Sequence, residues 1–372
     1  MTVIKSASVV LLLFTLNMAS MDNINRLKSG VENWNKWRRE NKTILPDLSR
    51  ANFQGENLQG ADLEGANLWG DTLLGADLRG AILQGADLRG ANLHGANLQG
   101  DNLAGARLEG ANFQEAHLEK TNLRGSVLRG ANFRGAFLQG ANLLEVNLLG
   151  VHLERVNLED SQLEGADFSG DTLQEADLQR AFLEGADLRR GNLQEVDFRG
   201  AFLVRADLRG SDLQGAFLTK ANLRGAILQG VKLQEADLGG DTLLGAKLEE
   251  ANLSRADLQG TDLRGADLRG ADLKEANLRE DTLRGAKLEG SDLEKADLRK
   301  VNFEKTDLST VKSFYMTKLE PEILSRIKAS WPEKLATVWN YPLDAWVIDK
   351  TLLEQIMKPD WKGWPGEKGQ GK

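Results

Sequence analysis

Residues 76–95 read Ala-Asp-Leu-Arg-Gly, Ala-Ile-Leu-Gln-Gly, Ala-Asp-Leu-Arg-Gly, Ala-Asn-Leu-His-Gly. Stepping by five from Leu48 to Leu308 gives 53 centres, 47 Leu and six Phe, and the register never slips between Pro46 and Thr310. The residue two before the centre is usually Ala. The one just before it is Asp or Asn in 35 of the 53 units, and the one two after it is Gly in 32. A period of five fits neither a helix, with about 3.6 residues per turn, nor a strand, with two. A fixed non-standard period implies a solenoid whose units pack on their neighbours. The small residue and the large centre then both point inward, and the other three positions face solvent.

This pattern, Ala-Asp/Asn-Leu-X-X over about 265 residues, resembles the pentapeptide-repeat family. The resemblance, with features of its cyanobacterial-type members in the lead-in at Pro46-Asp47-Leu48, implies an all-β solenoid, a right-handed quadrilateral β-helix. Four units would make one square coil, so structural neighbours lie twenty residues apart. That gives about 13 coils and, at the spacing of paired backbone layers, about 60 Å of length. Asp or Asn before the centre suits side-chain bonding to turn amides, and Gly suits tight corners. Phe113 and Phe133, twenty apart, should stack. Asp71, Asp101, Asp171, Asp241 and Asp281 stand where the small inward residue belongs, and four of them open Asp-Thr-Leu. Buried there, they need hydrogen bonds; their spacing does not gather enough ligands for a cation.

The flanks organise differently. Residues 1–20 carry Lys5 and an apolar run, Val9 to Leu16, too short to span a bilayer as a helix. They read either as a secretory signal segment or as an extension upstream of a start at Met21. The first places the protein in a periplasm or thylakoid lumen, the second in the cytoplasm. Residues 21–45 form a helical N-terminal cap, with Leu27, Val31, Trp34 and Trp37 at helical spacing over the first coil. Residues 46–310 are the β-helix. Residues 311–372 form a helical, tryptophan-rich C-terminal cap or interaction tail. Within it Pro321 to Ser330 and Leu343 to Met357 read as helices, and Trp331, Trp339, Tyr341, Trp346, Trp361 and Trp364 cluster.

Composition excludes several chemistries. The chain has 372 residues, no cysteine and three histidines, His94, His117 and His152, which fall on different columns of the coil. No thiolate site, nucleophile elbow, triad context, P-loop or dinucleotide fingerprint is present. No catalytic residue, cofactor or metal site is assigned, and no later segment is long and apolar enough to cross a membrane. The formal net charge is -8; over 46–310 it is -14, from 44 acidic and 30 basic residues. Direct nucleic-acid binding is therefore not expected. The expected role is a non-enzymatic structural or protein-interaction scaffold with an unknown protein partner, self-association being the other option. Family resemblance offers an alternative, an acidic rod mimicking DNA to regulate gyrase or another DNA-binding protein. Phe182, Phe202 and Phe217 occupy outward positions and form a candidate interaction patch.

Overall fold

In the computed structural model of the chain, the structure describes residues 21–340 and 345–358. The signal or extension reading of 1–20, and the aromatic residues Tyr341, Trp361 and Trp364, lie outside them. The repeats divide between two compact units, the first ending at Phe182 and the second beginning at Leu183. Each is built in the same way.

The local rule is visible around Leu78. Its amide donates to the carbonyl of Asn97 at 2.7 Å in the next coil, while the amide of Asp77 donates to Glu56 O at 3.0 Å in the previous one. Every side of the coil thus binds one layer above and one below. The outward residues pair as parallel bridges twenty apart, such as Asp77 with Asn97 and Asn222 with Thr242. Twenty residues therefore make four sides of five, a β-solenoid of square coils within each unit. Each side contributes a single bridging residue rather than a continuous strand, too little to count as a conventional sheet.

Corners close by a turn in which Ala76 N donates to Leu73 O at 3.0 Å. The residue before that small one has a left-handed backbone, as at Gly75, φ 61°. The Asp/Asn preference also has a cause: Asp77 Oδ1 accepts from Arg79 N at 3.2 Å, and Asn52 Oδ1 from Gln54 N at 3.0 Å. This side chain fixes the bend into the corner. Every centre from Leu48 to Leu308 is buried. Phe113 and Phe133 stack at 4.7 Å with planes 7° apart.

Before the first coil, α1 covers residues 21–28 and α2 covers Val31–Glu40. Leu27 and Trp34 are fully buried, while Val31 and Trp37 are half-buried. Trp34 Nε1 donates to Asp62 O at 2.7 Å, and the buried Arg38 donates to Ile44 O and Glu64 O. The helix thus meets open coil edges with its own donors, as an edge strand requires.

The far end departs from the expectation in two respects. Strict period five stops at a 3-10 turn, Leu308–Thr310, but coiling does not. Asp292 pairs with Ser313 and Asp297 with Lys318, a spacing of 21, so the turn adds one residue and the pattern resumes. Phe314 and Leu319 are the buried centres of that shifted register. Among the described residues of the helix expected over Leu343 to Met357, the first four are strand and only the later part is helix. After α3, Pro321–Ser330, the chain forms β1, Thr337–Asn340, paired antiparallel with β2, Ala345–Ile348. Then follows α4, Lys350–Ile356. The β-branched pair Val347-Ile348 favours the strand, and Asp349 starts the helix by accepting from Leu352 N at 2.9 Å. Among the described residues, no helix is long and apolar enough to cross a membrane.

Candidate functional site

Among the described residues, the inward positions of the repeats are filled mainly by Leu, Phe, Ala and Val, with a few polar groups. Chemistry must be sought outside. His94, His117 and His152 stay apart on their separate columns. His117 stacks on Phe137 at 4.9 Å, and its Nδ1 lies 3.2 Å from Glu119. Among the described residues, no group of three His, Cys, Asp or Glu could hold a metal ion.

Phe182 belongs to the first unit, where it pairs with Gln162; Phe202 and Phe217 belong to the second. All three are exposed. Within the second unit, Phe202 pairs with Asn222, whereas Phe217 sits between Asp197 and Asp237 on another side of the coil.

The charged surface is organised by two local devices. In the first, Asp before the centre and Arg after it close a short ion pair, as in Asp77–Arg79 at 2.6 Å. Eight such pairs recur, from Asp77–Arg79 to Asp297–Arg299. The guanidinium hydrogen bonds hold Asp77, Asp87, Asp187 and Asp262 below the ordinary carboxylate range.

The second device is at the corners. Every corner position from Arg50 to Lys305 has a left-handed backbone, whether it is Gly or not. Glycine is the residue that holds this conformation without strain. Twenty of these corners are nevertheless not Gly, and all twenty are Arg, Lys, Glu or Asp. In the second unit, five of the twelve share one edge: Glu195, Glu235, Arg255, Glu275 and Lys295. Glu235, Arg255, Glu275 and Lys295 stand in four successive coils with alternating sign. Arg255 reaches Glu235 at 3.6 Å and Glu275 at 3.1 Å, and Lys295 reaches Glu275 at 3.7 Å. A shallow recess beside this edge is lined by Gln214, Gln234, Ser254, Asp272 and Lys274. Sequence reasoning missed this ladder; the signal was there, as non-Gly residues recurring at one corner at intervals of twenty.

The five inward aspartates are satisfied by half. Oδ1 of Asp71, Asp101, Asp241 and Asp281 accepts from the amide twenty residues earlier, at 2.8, 3.1, 2.9 and 2.9 Å. Asp171 accepts from Gly150 N at 2.7 Å. Oδ2 of each is buried without a hydrogen-bond partner. Burial pushes their carboxyls up, to about 8 for Asp71, Asp101 and Asp281, about 9 for Asp241 and about 6 for Asp171.

Comparison with known proteins agrees with this architecture. The family profile described as Pentapeptide repeats matches eight times, over residues 47–70, 73–110, 102–140, 131–170, 172–203, 202–240, 243–280 and 282–312. No curated protein matches. Among solved structures, the chain is similar to HetL, a pentapeptide repeat protein involved in heterocyst differentiation regulation in the cyanobacterium Nostoc sp. strain PCC 7120. Identity is 29%, over 70% of this chain and 94% of HetL, with a TM-score of 0.37. It is also similar to a pentapeptide repeat protein of the Arabidopsis thaliana thylakoid lumen, 29% identical over 28% of this chain and 70% of that one, with a TM-score of 0.23. QnrB1, a plasmid-mediated fluoroquinolone resistance protein, is 17% identical over 77% of this chain and 96% of its own, with a TM-score of 0.23.

Proposed function

The chain belongs to the pentapeptide-repeat family, and from that premise we propose that it is a non-enzymatic scaffold that binds a protein partner through its outward columns. Its coils, on this reading, wind right-handed. The observation that carries the proposal is the charged corner ladder of the second unit. A left-handed backbone costs a non-glycine residue about 1–2 kcal/mol. An exposed ion pair returns about 0–1 kcal/mol. Charged corners are therefore poor choices for stability where glycine is available, and an unbroken run of four with alternating sign on one edge supports a role in contact with something else. The partner's complementary surface would carry alternating charge. Phe202 and Phe217 in the same unit, and Phe182 in the first, supply apolar anchors of the kind that dominate interface energetics.

The gyrase-directed alternative needs a continuous acidic surface able to occupy a basic DNA-binding groove. The eight Asp–Arg pairs, six of them in the second unit, place guanidinium groups within such a surface, which favours the scaffold.

The test replaces Glu235, Arg255, Glu275 and Lys295 together with Gly. The variant should keep its β-type circular dichroism and unfold at equal or higher denaturant, yet lose the protein that wild type recovers by affinity capture. A second variant, Phe182→Asp with Phe202→Asp and Phe217→Asp, should weaken the same capture. Unchanged recovery with the glycine variant contradicts the ladder's role, and reproducible turnover by the purified chain contradicts the scaffold reading itself.

A further inference from the structure

The five inward aspartates do more than tolerate burial. Threonines occupy the same inward position in other coils, and each donates its hydroxyl to the backbone carbonyl 23 residues earlier: Thr121 to Leu98 O at 2.9 Å, Thr261 to Leu238 O at 2.8 Å, Thr306 to Leu283 O at 2.5 Å. The position is thus one where a donor belongs. Aspartate fills it with two oxygens. One accepts from the preceding coil, and the other lies buried with nothing to accept from. An ionised carboxylate leaves that second oxygen unsatisfied in an apolar interior, which costs several kcal/mol. A carboxylic acid carries the hydroxyl that the threonines use in this position. All five side chains are at most 6% exposed.

We propose that Asp71, Asp101, Asp171, Asp241 and Asp281 are neutral carboxylic acids in the folded coils, each donating as threonine does, and that they make both units a pH-sensitive device that tightens in acid and loosens as pH rises. The charged groups facing them act in the same direction. Asp47 faces Asp71, Asp77 faces Asp101, Asp167 faces Asp171, Asp237 faces Asp241 and Asp257 faces Asp281. All are acidic, so each disfavours ionisation of its neighbour.

The direction of the effect follows from linkage. These carboxyls hold their proton more tightly folded than unfolded. Their contribution is therefore complete below the unfolded value near 3.8 and is lost as pH rises through about 6 for Asp171 and about 8 to 9 for the other four. Within that window each aspartate lowers the folding equilibrium constant about tenfold per pH unit. The Arg-paired surface aspartates lose their contribution only at acid pH, below the ordinary carboxylate range; burial also raises Asp292, beside Lys274, which acts in the same direction as the five and is shared by wild type and variant. The inference stands apart from the scaffold reading, because it concerns the interior and not the partner.

The experiment uses the full chain. Urea unfolding midpoints of wild type, followed by circular dichroism, should fall steadily from about pH 5 to about pH 9. A variant with all five changed Asp→Thr, the residue that already occupies this place, should show a flat profile and exceed wild type at alkaline pH. If the threonine variant folds poorly, the five Asp→Asn changes serve instead, since the amide can both donate and accept. Infrared spectra at neutral pH should show a protonated carboxylic acid band in wild type that is absent from either variant. Parallel pH profiles for wild type and variant, or no such band in wild type, would overturn the proposal.

Discussion

A corner residue of the coil must hold φ near +60°, and the choice between Gly and a charged side chain is made there one residue at a time. At Gly245, φ is 65° and an added Cβ would meet nothing within 4 Å. Substitution there is a matter of backbone strain alone. Gly245→Val should cost about 1–2 kcal/mol, read as a lowered urea midpoint. The converse change, Glu195→Gly, at φ 56°, should raise stability by up to about 1 kcal/mol, read as a higher urea midpoint. The inward small residue is constrained differently. Ala206 is fully buried, and its carbonyl accepts from Ile227 N at 2.9 Å. Ala206→Trp has no room to occupy without displacing the neighbouring coil, and the loss should be at least about 1–3 kcal/mol. A stability equal to wild type would show that the interior is looser than these contacts imply.

At the scale of elements, the two ends of the repeat array solve one problem by different means. α2 presents Trp34 and Arg38 as donors to the first coil's carbonyls, Asp62 O and Glu64 O. Trp34→Ala removes a fully buried ring together with that bond and should cost about 3–5 kcal/mol, measured as earlier unfolding of the first unit. Loss of under about 1 kcal/mol would mean the helix is not seated as described. At the other end, Asp349→Ala should loosen α4 by about 1 kcal/mol through its lost N-cap. The two ends also show how far sequence can be read. The helical N-terminus was legible in part: Leu27, Val31, Trp34 and Trp37 recur at helical spacing, but the chain breaks at Gly30, φ 126°, so Leu27 lies in α1 and the other three in α2. The repeats were legible because one local geometry is written 53 times. The C-terminal hairpin was not, since four-residue strands carry too few alternations to outweigh a nearby helical pattern. The one-residue shift at Leu308–Thr310 was hidden for a different reason. Ser313-Phe314 continues the coil, but a 3-10 turn absorbs the extra residue, and a fixed register of five cannot see past it. The corner ladder was present in the sequence yet masked by the habit of treating the position two after the centre as glycine.

Across the repeats, the contacts between coils join residues close to twenty apart, so stability and display both depend on that number. Inward residues in one coil meet inward residues in the next because twenty residues return the chain to the same side. Outward columns, including Glu235 to Lys295, line up for the same reason. The most direct measurement compares two deletions inside the second unit. Removing 211–230 takes out one full coil and restores the pairing of every remaining bridge. Removing 211–228 takes out almost the same length but turns the following centres away from the interior. The first variant should keep its β-type circular dichroism and a cooperative unfolding transition; the second should lose both in its second unit. Equal behaviour of the two variants would contradict the twenty-residue coil on which the account rests.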